Sequence, residues 1–230
     1  RIPLNADEMH YAPQAIGFID SGKLQIMDED SLWFFLTNLA MNLFGVTFLG
    51  ARFMAILFGS LSIILIYILG RELFNERIAL IASIIMAFSP AQFIEGRADP
   101  DIMMYFFSFL SLYFLIRFLK TGKNSLFWLT WLSIGLACMV KQVAVVFVPV
   151  FFLYFMIHMK KHKNTYEIKK ILKAAGIIIL TVLPVLAFNY LLYQDKGILD
   201  LQFSRFTRIG LEAYQDLLPT MPSFSAISLV

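Results

Sequence analysis

Long apolar runs without a single charged residue dominate this chain and decide what it can fold into. Six of them cover residues 53–70, 78–94, 102–116, 124–140, 142–157 and 174–194. A helix needs about 20 apolar residues to cross the hydrocarbon of a bilayer. In lipid only helices and closed barrels satisfy all backbone N–H and C=O groups. These runs are continuously apolar, without the alternation of apolar and polar residues that a barrel strand shows, so they predict helices. We therefore predict an all-α, polytopic transmembrane helix bundle with six spans over residues 52–193.

The composition excludes a soluble domain and several kinds of site. Hydrophobic residues make up 59% of the 230 residues and charged residues 15%, with a mean hydropathy of +0.73. Soluble domains are about a quarter charged. The only cysteine, Cys138, excludes an intrachain disulfide framework and a cysteine-based metal cluster. The net charge of +3 is small, and we expect no nucleic-acid partner.

A seventh apolar stretch, Ser31–Phe44, is short for a span and carries a polar stripe. Ser31, Asn38 and Asn42 recur at steps of seven and four, which places them on one face of a helix. Leucines and phenylalanines occupy the other face. We predict a helix that lies in the membrane interface with its apolar face down, and the alternative is a short spanning helix. Residues 1–51 then form an external loop with interfacial helices.

The distribution of charge orients the six spans. The loops predicted on one side carry eleven of the 19 Lys and Arg residues and only three of the 16 acidic residues. Cytoplasmic loops are enriched in Lys and Arg, so this side is assigned to the cytoplasm. Residues 1–52, the loop 95–101, Lys141 and the segment 194–230 are then external. We also expect this chain to be a fragment of a longer protein, with further spans before its first residue and after its last.

Two external groups carry candidate chemistry with a competing structural explanation. Asp7 and Glu8 offer a general base, yet Asn5 and Glu8 also have the spacing of a capping box. In the sequence 97–101, Asp99 suits a helix N-cap and Asp101 the first turn. Capping does not explain Arg97, which stands just before a helix N-terminus and would bind a phosphate there.

Two further external groups leave both interpretations open. Lys141 is the only charge between two apolar runs, and it either snorkels to the interface or contacts an anionic headgroup. Asp28, Glu29 and Asp30 resemble a divalent-cation site, although Ser31 begins a helix directly after them and a solvated turn explains them better. We expect no metal cofactor, and a divalent cation at Asp7 or Asp28 stays an alternative.

The order of these motifs resembles a known family. The pattern comprises Asp7-Glu8 with Tyr11, Phe44-Gly45, Arg52, the segment 70–75, the segment 87–90, Arg97 and Asp101 before residues 104–107, and residues 135–137 with Lys141. It is similar to the dolichyl-phosphate-mannose-protein mannosyltransferase superfamily, which includes the aminoarabinose lipid A transferases and belongs to the GT-C glycosyltransferases. The chain departs from it at Asp30-Ser31-Leu32, where prolines are usual, and at Gln142, where glycine is usual. These departures concern the subfamily, and hence the sugar and the acceptor.

The resemblance implies a membrane enzyme whose active site lies at the extracytoplasmic face. Such enzymes move a sugar from a polyprenyl-phosphate donor to an acceptor hydroxyl of a protein, lipid or glycan. Asp7 is then the expected general base and Glu8 positions a substrate, while Arg97 and Lys141 bind the donor phosphate. Tyr11 and Asp101 have supporting roles. The rival functions are a transporter or flippase for a lipid-linked precursor, which needs a polar path through the bilayer, and a non-catalytic lipid-binding scaffold.

Overall fold

All regular secondary structure in the described part of the chain is helical. The structure is a computed structural model, and it describes Ala15 and residues 31–89, 98–161 and 168–193. Seven α-helices and one short 3₁₀ helix follow one another in these ranges. They are α1 (Ser31–Phe44), α2 (Phe48–Leu73), α3 (Glu76–Ala87), α4 (Asp101–Thr121), α5 (Asn124–Val140), the 3₁₀ helix Gln142–Val146, α6 (Phe147–Lys161) and α7 (Ile168–Tyr193). The predicted all-α fold class is confirmed for these residues.

Side chains and glycine set the ends of several helices. The Thr47 hydroxyl accepts a hydrogen bond from the Gly50 amide at 3.2 Å and begins α2. The Asn75 side-chain oxygen Oδ1 accepts one from the Ile78 amide at 3.0 Å and begins α3. These bonds satisfy amides that have no partner within the first turn. Gly122 ends α4 with φ +68°, a left-handed conformation that glycine adopts without steric cost.

Two described helices are long and apolar enough to cross a membrane, namely α2 and α4. The helix α5 and the segment 142–158 are apolar but shorter. The run 142–157, predicted as one span, divides into the 3₁₀ helix and α6, so Pro149 falls in the first turn of α6, where its missing N–H costs little. The count of six spans stays a prediction. Of the predicted external segments 1–51 and 194–230, residues 1–14, 16–30 and 194–230 lie outside the described residues.

The helices α4 and α5 form the centre of the bundle. The helix α4 packs against α2, α5 and α6, and α5 also packs against α1 and α7. The Ser111 hydroxyl of α4 donates to the Thr130 carbonyl of α5 at 2.8 Å, so a polar group joins the two inside the apolar core. A Cβ atom placed on Gly135 of α5 would lie 2.8 Å from the Cβ of Thr181 on α7, which shows how closely those helices approach.

The helix α1 turns two unlike faces to its surroundings. Trp33, Phe34 and Asn38 are buried against the protein, whereas Phe35 and Leu43 are exposed. The predicted polar stripe is therefore divided: Asn38 points into the bundle and Asn42 stays outside. An exposed apolar face beside a buried amide is the arrangement expected of a helix with lipid on one side and protein on the other.

Candidate functional site

The bundle has two polar ends, and each collects charged groups from different helices. At one end, Lys141 and Asp101 meet; at the other, Arg117 and Lys120 of α4 meet Glu72 of α2. Lysine, arginine, histidine and acidic residues of the described helices lie within six residues of a helix end. The described helices thus keep charge out of their centres, which is the distribution that the bilayer core favours.

The pair of Lys141 and Asp101 is the centre of the candidate site. The Lys141 Nζ atom lies 2.6 Å from Asp101 Oδ1, and the two side chains are only 20% and 26% exposed. The two residues lie at opposite ends of consecutive helices, because Asp101 begins α4 and Lys141 directly follows the end of α5. Their contact shows that these two helix ends lie at the same end of the bundle.

Local backbone geometry explains how Lys141 comes to this position. The helix α5 ends at Val140, and Lys141 has the extended conformation φ −155°, ψ 124°. Its amide donates to the Ala137 carbonyl at 3.0 Å, and its carbonyl accepts from the Ala144 amide at 3.0 Å. One extended residue therefore separates α5 from the 3₁₀ helix. Buried Val140 and Ala144 on either side hold the lysine in place.

The start of α4 holds the other partner. The Asp99 carboxylate accepts a hydrogen bond from the Asp101 amide at 3.0 Å, so it satisfies one of the free amides at this helix N-terminus, as the capping interpretation predicts. Buried Ala98, Met103 and Met104 anchor the turn in the core. The Asp101 carboxylate itself forms the ion pair with Lys141, a partner that the sequence did not indicate.

Only part of the predicted site lies in the described residues. The structure brings Asp101 and Lys141 together. Asp7, Glu8, Tyr11 and Arg97 lie outside the described ranges, as do Asp28, Glu29 and Asp30. The roles given to these residues stay predictions. Among the residues that the structure describes, no group of three or more His, Cys, Asp or Glu side chains could hold a metal ion.

The opposite end has a different character. The Glu72 carboxylate contacts Arg117 at 2.8 Å and Lys120 at 3.0 Å, and Lys120 also donates to the Glu72 carbonyl near the end of α2. A lysine at a helix C-terminus satisfies a carbonyl that lacks a partner and complements the helix dipole. This cluster joins α2 to α4 and belongs to the side that the charge distribution assigns to the cytoplasm.

Comparisons with known proteins agree with the fold and the motif order. The chain is 26% identical over 202 residues to an uncharacterized protein of Aquifex aeolicus, a match that covers 83% of this chain and 40% of the relative. It is also similar to the crystal structures of ArnT from Cupriavidus metallidurans in the apo state and bound to undecaprenyl phosphate. Each of these has a TM-score of 0.68 and 16% identity, and the match covers 83% of this chain and 38% of ArnT.

This chain thus spans about two fifths of the length of these relatives. At 16% identity, the likeness to ArnT shows a common helical fold. Family assignment comes from the sequence: residues 31–188 match the family model described as dolichyl-phosphate-mannose-protein mannosyltransferase. That match covers more than half of the chain, including α1 to α6, most of α7 and the Lys141–Asp101 pair. The chain therefore belongs to the dolichyl-phosphate-mannose-protein mannosyltransferase family.

Proposed function

We propose that this chain belongs to an enzyme that transfers a sugar from a polyprenyl-phosphate donor to an acceptor hydroxyl, with inversion at the anomeric carbon. Family membership and the Lys141–Asp101 pair at one polar end of the bundle support this proposal. The reaction takes place at the extracytoplasmic face of the cell membrane. The acceptor belongs to a protein, a lipid or a glycan.

The observation that carries the proposal is a cation at the mouth of an apolar bundle. A departing lipid phosphate gains negative charge as the glycosidic bond breaks, and preorganised cations stabilise that charge. Asp101 holds Lys141 Nζ, and the lysine side chain is one fifth exposed, which leaves a route for contact with an anion from outside. In the proposal, Arg97 is the second phosphate ligand, and Asp101 positions Lys141.

The acceptor side of the proposed reaction depends on the first segment of the chain. Asp7 acts as the general base that removes the proton from the acceptor hydroxyl, and Glu8 positions the acceptor or the sugar, with support from Tyr11. The lipid tail of the donor fixes the depth of the reacting phosphodiester, so both substrates meet in a thin layer and lose little further entropy on reaction. The proposal contains no metal cofactor.

The relatives support a polyprenyl-phosphate donor in particular. One of the ArnT crystal structures contains undecaprenyl phosphate, and ArnT shares the helical fold of this chain. A transporter or flippase would bind the same kind of lipid, but it needs a polar path through the bilayer. The described helices carry their charged residues near the ends only, which favours an enzyme that works at one surface.

The test is transfer of label by membranes that contain the full-length protein. A panel of labelled undecaprenyl-phosphate and dolichyl-phosphate sugars is offered, and the products are separated by class and by anomeric configuration. We expect one donor to yield an inverted product, including in the presence of EDTA. The variant Asp7→Asn should lose transfer, and Asp28→Asn serves as its control. Absence of transfer from every donor, or translocation of a donor without transfer, would refute the proposal.

A further inference from the structure

The helix α3 carries an arginine beside an apolar stripe that stays exposed in the described part of the chain. One side of α3 packs closely on α2, since a Cβ atom placed on Gly70 would lie 2.7 Å from the Ala79 Cα atom. The other side has four aliphatic side chains, each about half exposed or more, which we call the α3 stripe: Leu80, Ile81, Ile84 and Ile85. Exposed Arg77 shares this face, because Ile81 follows it by four residues and Ile84 by seven.

Tyr67 brings a second arginine to the same corner of the bundle. The Tyr67 hydroxyl on α2 donates to Glu76 Oε1 at 3.1 Å, and the Arg71 Cζ atom lies 5.7 Å from the centroid of the Tyr67 ring. Glu76 directly precedes Arg77, so these contacts join the last turn of α2 to the first turn of α3. An open cleft of about 590 Å³ at this corner is lined by Asn75, Glu76, Arg77 and Leu80.

The positive charge of these two arginines is not neutralised within the described ranges. Neither Arg71 nor Arg77 forms an ion pair with an acidic side chain that the structure describes, whereas two cations of α4 share Glu72. The segments 71–77 and 117–123 together hold five Lys and Arg residues and only two Glu residues. This end of the bundle therefore keeps a net positive charge, which attracts the anionic headgroups of a membrane surface.

The length of α3 suits a lipid of a single leaflet. Its 12 residues rise about 18 Å, slightly more than half of the roughly 30 Å hydrocarbon core of a bilayer. The charged end of α3 lies on the side that the charge distribution assigns to the cytoplasm, and the cytoplasmic leaflet is rich in anionic lipids. A cation at the membrane surface, followed by branched aliphatic side chains toward the bilayer centre, has the same order as the phosphate and acyl chains of a phospholipid.

We propose that Arg71, Arg77 and the α3 stripe form a binding site for an anionic phospholipid of the cytoplasmic leaflet. The lipid phosphate contacts the two guanidinium groups, whose planar N–H donors match phosphate oxygens. An acyl chain lies along the α3 stripe and covers apolar surface. This site lies at the opposite end of the bundle from the Lys141–Asp101 pair, and it binds a lipid of the surrounding membrane independently of the proposed sugar transfer.

A photoreactive side chain in the α3 stripe identifies what covers it. Full-length protein with p-benzoylphenylalanine in place of Ile85 is reconstituted in vesicles of equal parts phosphatidylglycerol and phosphatidylcholine. Irradiation joins the benzophenone to a neighbouring C–H bond, and mass spectrometry identifies the adducts. The ratio of phosphatidylglycerol to phosphatidylcholine adducts is compared with that of Arg77→Gln, Arg77→Lys and Arg71→Gln. Lys123→Gln is the matched control, because it removes an exposed cation between α4 and α5 at the same end of the bundle.

The expected adduct ratio follows from the number of cations at the site. One arginine near an anionic surface strengthens binding about fivefold, so two should favour phosphatidylglycerol by roughly 5- to 25-fold. Arg77→Gln and Arg71→Gln should each lower the ratio about fivefold, since each removes one such charge. Arg77→Lys keeps the charge and should stay within about twofold of the native ratio, as should Lys123→Gln.

Three other outcomes would overturn the inference. Equal adducts of the two lipids in the native background would show that the arginines do not select an anionic lipid. An equal fall of the ratio in Arg77→Gln and Lys123→Gln would replace a defined site by diffuse attraction to the charged surface. Adducts with another segment of the same chain, or with a second copy of it, would show that protein covers the α3 stripe instead of lipid.

Discussion

Removing either charge of the Lys141–Asp101 pair tests the central geometry of the site. Asp101→Asn takes away the carboxylate 2.6 Å from Lys141 Nζ, and Lys141→Met takes away the cation while keeping the apolar stem. Each single substitution leaves one charge in a position that is about four fifths to three quarters buried. The double substitution leaves neither charge, so it should be less harmful than the two single effects combined.

The magnitude follows from the distance and the exposure of the two side chains. Two unit charges 2.6 Å apart attract each other by about 6 kcal/mol at an effective dielectric constant of 20. Desolvation of both groups opposes most of this attraction, and losing one partner of a fully buried pair costs about 3–5 kcal/mol. Because this pair is partly exposed, we expect each single substitution to lower the free energy of unfolding by about 2 kcal/mol, with a coupling energy of about 1–2 kcal/mol.

The only cysteine provides a natural probe for this measurement. Cys138 is buried in α5, so a thiol-reactive dye should modify it only after unfolding. The native protein and the three variants are unfolded in mixed micelles by a denaturing detergent, and the reaction of Cys138 reports the unfolded fraction. The control is the same set of two single substitutions and one double substitution at the more exposed Lys120–Glu72 pair. This double-mutant cycle should give a smaller coupling energy. Strictly additive losses at Lys141 and Asp101 would refute the ion pair.

Three further predictions concern close packing, donor binding and the opposite end of the bundle. Gly135→Ala places a Cβ 2.8 Å from that of Thr181 and should destabilise the protein by about 1–3 kcal/mol in the same unfolding assay, whereas Gly176→Ala meets open space and should be neutral or stabilising; equal effects would contradict the α5–α7 packing. Arg97→Ala should raise KM for the donor more than KM for the acceptor in steady-state transfer assays, and the reverse order would remove Arg97 from the phosphate site. Glu72→Gln should lower the thermal unfolding temperature slightly and leave transfer unchanged; a loss of transfer would contradict the separation of the two polar ends.

The positions of the helices were largely predictable because apolar runs and their caps are local features. The predicted helices over Ser31–Phe44 and Asn124–Val140 have the bounds that the structure gives. The predicted run 53–70 is shorter than α2 at both ends, because the run was defined by the absence of charged residues and therefore stops at Arg52 and Arg71. The helix itself begins earlier, since its N-cap is Thr47, five residues before Arg52. An interfacial arginine at a helix end is compatible with a span, because its long side chain can reach water.

The orientation of α1 was only partly predictable from its pattern. Helical spacing shows that Asn38 and Asn42 share a face with Ser31, but a pattern cannot tell whether a polar stripe faces water or protein. The structure places Asn38 inside because the Ala15 carbonyl, far away in the sequence, is available there as an acceptor. Tertiary partners of this kind decide the side that a polar group faces, and no local rule identifies them.

The same reasoning explains why both members of the Lys141–Asp101 pair were predicted as site residues while their contact was not. Alternation of spans and loops places the start of α4 and the end of α5 on one side of the membrane, so both groups were assigned to the same surface. Their distance depends on lateral packing, in particular on the Ser111–Thr130 hydrogen bond that joins the two helices. It also depends on the extended backbone at Lys141, which takes the lysine out of the helical path of α5. If α5 continued as a regular helix through position 141, the direction of the Lys141 side chain would follow from the helical rotation after Val140. Because the helix ends at Val140, the extended backbone at Lys141 decides that direction instead, and helical periodicity does not predict where the cation lies.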